Sequence, residues 1–471
     1  MSNQQSTLES IDLGAPPMVR MRQEWHLLGA LALPMLAGSL SDITLNLADT
    51  AIVGRLGVKQ LAAVGTAAAV YSVISQILAA SVIGYQITAA RRFGSGDRSG
   101  VRVALSHAIP VLLSLATLGV ILLWLSYPIV NTIARDPQVS ALALVFLRYR
   151  SFGLLFGISA FLLRTTFDTD RQTRWGMYAS LGANALNIPL SYALAFGAGP
   201  FPRMGVGGSG LASSIATAIS FLFLAIIFAK RRPVAPTTSR RGWEQEEVRN
   251  LLRLSGPEMV NAALDYAGNL VFVFIAGLLG VGALAGSRIA YILLLIFFTI
   301  SMTLGVGVQI LAGRAWGRSN LVEVKFHLME GRLLALGVVS SLGIACALGA
   351  RELVWLFNLS GQIAESAASA IRVVGLSAPL MVWTACHVGI IRALGHTKWV
   401  MYTNVGAVWL IQLPAAWVLG VWLHLGLIGL YLGYGAYFLA RAVVSNYLAG
   451  RLIVHAGERE GEVVRERVAL S

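Results

Sequence analysis

LALPMLAGSLSDITLNLADTAIVGRLG, residues 31–57, decides how this chain is read. Apolar residues dominate it for about 20 positions, the length of a helix that crosses a bilayer, yet Asp42 and Asp49 lie inside it. Helical spacing puts Asp42, Asn46 and Asp49 at i, i+4 and i+7, on one polar face. An ionisable group at membrane depth costs about 2.5–3.5 kcal/mol even on the mildest scale, so it faces a cavity, a partner or a transported ion. The stretch therefore reads as a membrane helix lining a permeation or coupling path.

Composition extends that setting to the whole chain. Of 471 residues, 56% are hydrophobic and 12% charged, with mean hydropathy +0.71. That is more apolar content than one or two soluble cores bury. The net charge of +14 is spread between apolar runs rather than gathered in one patch, which speaks for membrane topology and against nucleic-acid binding. Cys346 and Cys386 both lie in apolar runs, so neither a disulfide framework nor a thiolate metal site is implied.

Twelve spans are expected, near 26–53, 60–90, 102–127, 141–164, 176–197 and 208–230, then 250–279, 284–313, 330–350, 364–392, 400–421 and 425–450. The opening residues, with Pro16, Pro17, Arg20 and Arg22, show no h-region or cleavage site, so the first helix acts as the insertion signal. Between the sixes lies KRRPVAPTTSRRGWEQEE, residues 230–247, whose proline and dense charge read as a solvated linker. The expected organisation is an N-terminal tail 1–25, an N-lobe 26–230, a linker 231–249, a C-lobe 250–450 and a tail 451–471. With the N-terminus in the cytoplasm, about 26 of the 36 lysines and arginines fall on the cytoplasmic side, about 9 outside, and Arg441 within the last span. Both termini are then cytoplasmic, in the cell (inner) membrane.

An internal repeat organises the spans. A shift of 223 positions lays Pro34 on Pro257, Asp42 on Asp265, Asn46 on Asn269, Gly54 on Gly277 and Gly57 on Gly280. The same shift places Gly84, Gln86, Ala89, Arg91 and Gly94 on Gly307, Gln309, Ala312, Arg314 and Gly317. At 224, Thr173, Trp175, Met177 and Tyr178 fall on Thr397, Trp399, Met401 and Tyr402. Two copies of a six-helix unit enter the membrane in the same direction, giving two lobes related by an axis along the membrane normal. The fold class is an all-α integral membrane protein of twelve helices in two six-helix lobes, an architecture of transporters more than of channels or enzymes.

These residues carry a resemblance. Pro34 followed by DTAIVGRLG (49–57), the Gly84–Gly94 motif, RALGHTK (392–398) and GVGGSGLA (205–212) resemble the multidrug and toxic compound extrusion (MATE) family, most of all its damage-inducible protein F branch, over essentially the whole chain. The resemblance implies export of small amphipathic or cationic compounds in exchange for inward protons or sodium, with no cofactor. It places the N-lobe coupling carboxylate on Asp49 and a second-lobe acid on Asp265. Many relatives carry N-x-x-x-D in the fifth span, where this chain has NIPLS (187–191), so Ser191 replaces the second carboxylate. A sodium ion favours several oxygens with compensating charge, whereas protonation needs one carboxylate, and the reading leans to protons through Asp49. Asn46, Asn184, Asn187, Ser191 and Asn269 then form the polar surroundings of Asp49, Asp42 and Asp265. Sodium, the alternative, would sit near Asp49 or Asp265, and no other metal is expected.

Without the family, one carboxylate in a mostly dry lobe can bind a proton and release it when water or a cation arrives. If the two states are mutually exclusive, that is antiport by linkage. Tyr71, Tyr266 and His387 are candidate cavity contacts for a flat cation. Plainer readings stand beside these: Asp49 as a structural acid, Asp42 and Asp265 satisfying backbone broken at Pro34 and Pro257, Glu258 as a first-turn acid, and His387 as a packing residue. A flippase for a lipid-linked precursor of the same superfamily is the alternative function. No G-x-S-x-G elbow, P-loop or paired His/Asp metal pattern supports an enzyme. The expected partners are small molecules and the bilayer, with no nucleic acid, and one chain holding both lobes suits a monomer.

Overall fold

The computed structural model describes residue 14 and residues 16–231, 244–355 and 361–469, so most of the expected linker and the first 13 residues lie outside the described part. Every regular element among the described residues is helical. The opening stretch belongs to α1 (Pro17–Gly54), followed by α2 (Val58–Ser81), α3 (Ile83–Gly94), α4 (Arg98–Trp124), the short α5 (Tyr127–Ala134), α6 (Pro137–Thr169), α7 (Arg174–Phe196) and α8 (Val206–Arg231). The second half comprises α9 (Gln245–Leu278), α10 (Val281–Gly317), α11 (Leu321–Leu348), the short α12 (Ala350–Trp355), α13 (Gly361–Ala393), α14 (Thr397–Gly406), α15 (Leu413–Trp417) and α16 (Gly426–Ala469). A π turn, Ala407–Gln412, joins α14 to α15, and a second, Val418–Trp422, follows it.

Eleven segments among the described residues are long and apolar enough to cross a bilayer. The twelfth is α7, whose 23 residues rise about 34 Å at 1.5 Å each. That length suffices, and its polarity comes from Ser180, Asn184, Asn187 and Ser191. The chain is an all-α, twelve-span membrane protein. The last helix continues to Ala469, so the expected tail from 451 is helical through that residue.

The repeat is visible at the turns. Gly57 (φ 133°) and Gly280 (φ 94°) occupy matched left-handed positions after α1 and α9, which a side chain would strain. Asp97 and Asn320, again 223 apart, cap α4 and α11 by accepting from the N–H groups of Gly100 and Glu323, at 2.8 and 3.0 Å. The short helices α5 and α12 start 223 residues apart. Thr173 and Thr397 are 224 apart but Pro189 and Pro414 are 225 apart. The π turn between them absorbs the extra residue.

The described chain forms two compact units, Leu33–Ala262, and Met1–Ala32 with Ala263–Ser471. The lobe limits read from the sequence fall at 25/26 in α1 and at 249/250 in α9, near the start of each helix. The compact units instead divide both helices, near Pro34 and Pro257. The first part of α1 is held in its unit by Glu24, whose Oε2 lies 2.8 Å from His327 Nδ1, while His327 Nε2 lies 3.5 Å from Glu323 Oε1. The first part of α9 is held in the other unit by matched chemistry. Glu247, 223 positions after Glu24, pairs with Arg92, and the Glu244 N–H donates to His107 Nε2 at 2.9 Å.

Within the second unit, α10 and α13 meet backbone to backbone: a Cβ on Gly389 would stand 2.5 Å from the Gly305 carbonyl oxygen. Small residues permit such approach in membranes, where no water drives helices together. Gly389→Ala is expected to lower stability by about 1–3 kcal/mol through overpacking. A drop in the thermal midpoint of the detergent-solubilised protein reads it out. Gly337→Ala, where an added Cβ meets nothing within 4 Å, should leave the midpoint in place or raise it.

Candidate coupling site

In the Leu33–Ala262 unit, α1, α7 and α8 bring the polar residues of the opening stretch together with those of the NIPLS run. Ser213 donates to Asp49 Oδ2 at 3.3 Å, and Asn187 Nδ2 donates to Ser213 at 3.1 Å. Ser191 lies against the same carboxyl and donates to Ser209 at 3.1 Å. Asn187 and Ser191 are fully buried. Asp49 Oδ1 and Asn187 Oδ1 are both buried with no hydrogen-bond partner, which leaves two acceptor oxygens open to a proton or a small cation. The small residues GVGGSG at the start of α8 allow the close approach that packs these hydroxyls: a Cβ on Gly208 would stand 2.5 Å from the Leu194 carbonyl oxygen of α7.

A cation of the chain itself stands nearby. Arg150 on α6 lies within electrostatic reach of Asp49, and its guanidinium sits 4.5 Å above the Tyr71 ring. Tyr71, a candidate cavity contact, thus carries an arginine over its ring. Sequence reasoning did not single out Arg150, and only its place on a membrane helix distinguishes it in the sequence.

Asp42 has its own partners. Asn184 Nδ2 donates to Asp42 Oδ1 at 3.1 Å and to Ser41 Oγ at 2.7 Å. Asn46 donates to the Asp42 backbone carbonyl at 3.0 Å, so it serves its own helix rather than the carboxylate. Arg164 also reaches α1: it donates to the Met35 carbonyl at 3.4 Å and lies 3.8 Å from Asp168. Neither Arg164 nor the buried Asp168 was singled out by sequence reasoning.

The second unit repeats the theme with different residues. Asn404 Nδ2 donates to Asp265 Oδ1 at 3.1 Å, Tyr437 donates to Asn404 Oδ1 at 2.7 Å, and Arg441 donates to the Tyr437 hydroxyl at 2.6 Å. The carboxylate is thus wired to a buried arginine on the last span. Asn269 faces the Tyr291 hydroxyl, and Tyr266 is half-buried beside Tyr291. His387 is 1% exposed, with Nδ1 2.7 Å from the Trp383 carbonyl and its ring against Trp383, which makes it a packing residue here rather than a cavity contact. Glu258 is buried in the middle of α9, because that helix starts at Gln245; Glu246 and Glu247 hold its first turn instead.

The MatE family model matches residues 34–193 and again 257–418, one match for each repeat. The chain belongs to the MATE family. It is 26% identical over 450 residues to a probable multidrug resistance protein NorM of Thermotoga maritima, covering 93% of this chain and 94% of the relative. It is likewise 26% identical to multidrug resistance protein PmpM of Pseudomonas aeruginosa, covering 86% and 85%. Among solved structures, a MOP superfamily transporter from Pyrococcus furiosus superposes with TM-score 0.84 at 19% identity, over 92% of this chain and 97% of that one. The eukaryotic MATE transporter AtDTX14 gives TM-score 0.81 at 17% identity, over 93% and 99%. This MATE chain is therefore a multi-pass membrane transporter and not an enzyme.

Proposed function

We propose that this MATE transporter exports small amphipathic or cationic compounds across the inner membrane in exchange for protons, by alternating access, with Asp49 as the coupling group. The multidrug names of its relatives support the substrate class. The observation that carries the coupling is the single carboxylate of the Asp49 cluster, with Ser191 where a second acid would stand and Arg150 within electrostatic reach. A carboxylate that has released its proton needs a counter-charge in a low-dielectric lobe, and Arg150 supplies it. In a sodium cycle the ion itself would be that counter-charge and the guanidinium would repel it. Both termini lie in the cytoplasm in this reading, and one chain is the working unit.

Efflux of a fluorescent organic cation from pump-deficient cells tests it, with the proton and sodium gradients collapsed separately. Efflux is expected to stop with the proton gradient and to persist without the sodium gradient. The Asp265→Asn variant should keep proton dependence at a reduced rate. Sodium dependence lost in Asp265→Asn would move coupling to the second unit. Failure to move any cation of a broad panel would turn the assignment to a lipid-linked precursor.

A further inference from the structure

In the Leu33–Ala262 unit, α4, α6 and α8 enclose a crevice of about 300 Å³. That lies at the small end of the roughly 300–1,000 Å³ of small-ligand pockets. Leu105, Leu112, Leu162, Phe221, Ala225 and Phe228 give it an almost wholly apolar wall, in which Ser159 is the one polar side chain. No acid lines it, so it offers an organic cation no counter-charge.

Its rim is basic. Arg102 precedes Leu105 by one turn on α4 and Arg231 follows Phe228 by one turn on α8. Both helix faces therefore end in an exposed arginine at the same end of the crevice. The Arg231 guanidinium stands 5.2 Å from the Trp175 ring, with Arg174 also 5.2 Å from it. Trp175, like Phe221, Ala225 and Phe228, packs on the buried cluster that includes Leu163. An apolar slot between membrane helices, with an exposed arginine one turn beyond it on both α4 and α8 and a tryptophan against the second of these, has the polarity of a phospholipid.

We infer that this crevice takes an acyl chain of an anionic phospholipid whose phosphate is held between Arg102 and Arg231. The site stands apart from the ion-coupling reading and survives if that reading fails. Native mass spectrometry of the full-length detergent-solubilised protein tests it, with titrated dioleoyl phosphatidylglycerol, dioleoyl phosphatidylcholine or inorganic phosphate, alongside thermal midpoints in the same mixtures. Wild type is expected to retain phosphatidylglycerol about tenfold more tightly than phosphatidylcholine, each arginine contributing to the attraction. Phosphate alone should give no midpoint shift. Arg102→Gln with Arg231→Gln, both at exposed positions, should abolish the preference, and Ser159→Trp, which fills the slot and leaves the arginines, should abolish retention. Equal retention of the two lipids by wild type would overturn the inference, as would a preference surviving in both variants or an equal stabilisation by phosphate.

Discussion

Asp49→Asn is expected to bring gradient-driven efflux down to the level of cells without the transporter, while the protein still inserts and purifies. Asparagine is isosteric and keeps an oxygen to accept from Ser213, now 3.3 Å from Asp49 Oδ2. What it loses is the ability to take up and release a proton. Coupling is a free-energy linkage between two ligands of one site, so removing the titrating group removes the linkage even where the geometry survives. Substrate binding to the purified variant should therefore persist, and its release should no longer respond to pH. Arg150→Gln makes the complementary case: it strips the counter-charge from the deprotonated carboxylate and should weaken efflux at neutral and alkaline pH more than at acidic pH. Wild-type efflux rates in Asp49→Asn would remove Asp49 from the coupling path.

The fold was legible because its signals are long. Twelve apolar runs, a 223-residue shift and paired glycines at 57 and 280 are properties of stretches, and each survives local exceptions. The candidate carboxylates were legible for the same reason: an aspartate among apolar residues stands out against its surroundings. Their partners were not. Arg150, Arg164 and Tyr437 reach Asp49, Asp42 and the Asp265 chain from other helices, and no spacing within one helix announces a contact made across a bundle. The partners of Tyr71 and His387 were no more legible. An aromatic or histidine at a plausible depth can face a cavity or its neighbours, and here Arg150 covers one ring and Trp383 holds the other. Division of α1 and α9 between the compact units also escaped the hydropathy pattern, which records that a helix is apolar and not which neighbours it packs against.

The anchor at the start of α1 carries the largest stability effect. His327→Ala is expected to destabilise the second unit by about 3–5 kcal/mol, the range for breaking a buried charge pair by removing one partner. Glu24 is completely buried, His327 and Glu323 are each 2% exposed, and Glu330 is 8% exposed. Both imidazole nitrogens face carboxylate oxygens, so the ring that fits is one that donates from each. Without it, Arg318, 2.7 Å from Glu323, and Arg20, within electrostatic reach of Glu330, are left to balance three buried acids. Glu24→Gln should do less harm than His327→Ala, because His327 keeps Glu323. The double variant Glu24→Gln with His327→Ala should lose less than the two single losses added together, as contacting residues do. Glu365→Gln, which breaks an exposed pair with Arg351 at 3.1 Å, serves as the reference and should change stability by no more than about 1 kcal/mol. Thermal midpoints of the purified variants decide the matter: if His327→Ala falls no further than Glu365→Gln, the cluster does not hold α1. If it falls as expected, the helix that carries Asp42 and Asp49 owes its foothold to one histidine that no spacing in its own stretch could reveal.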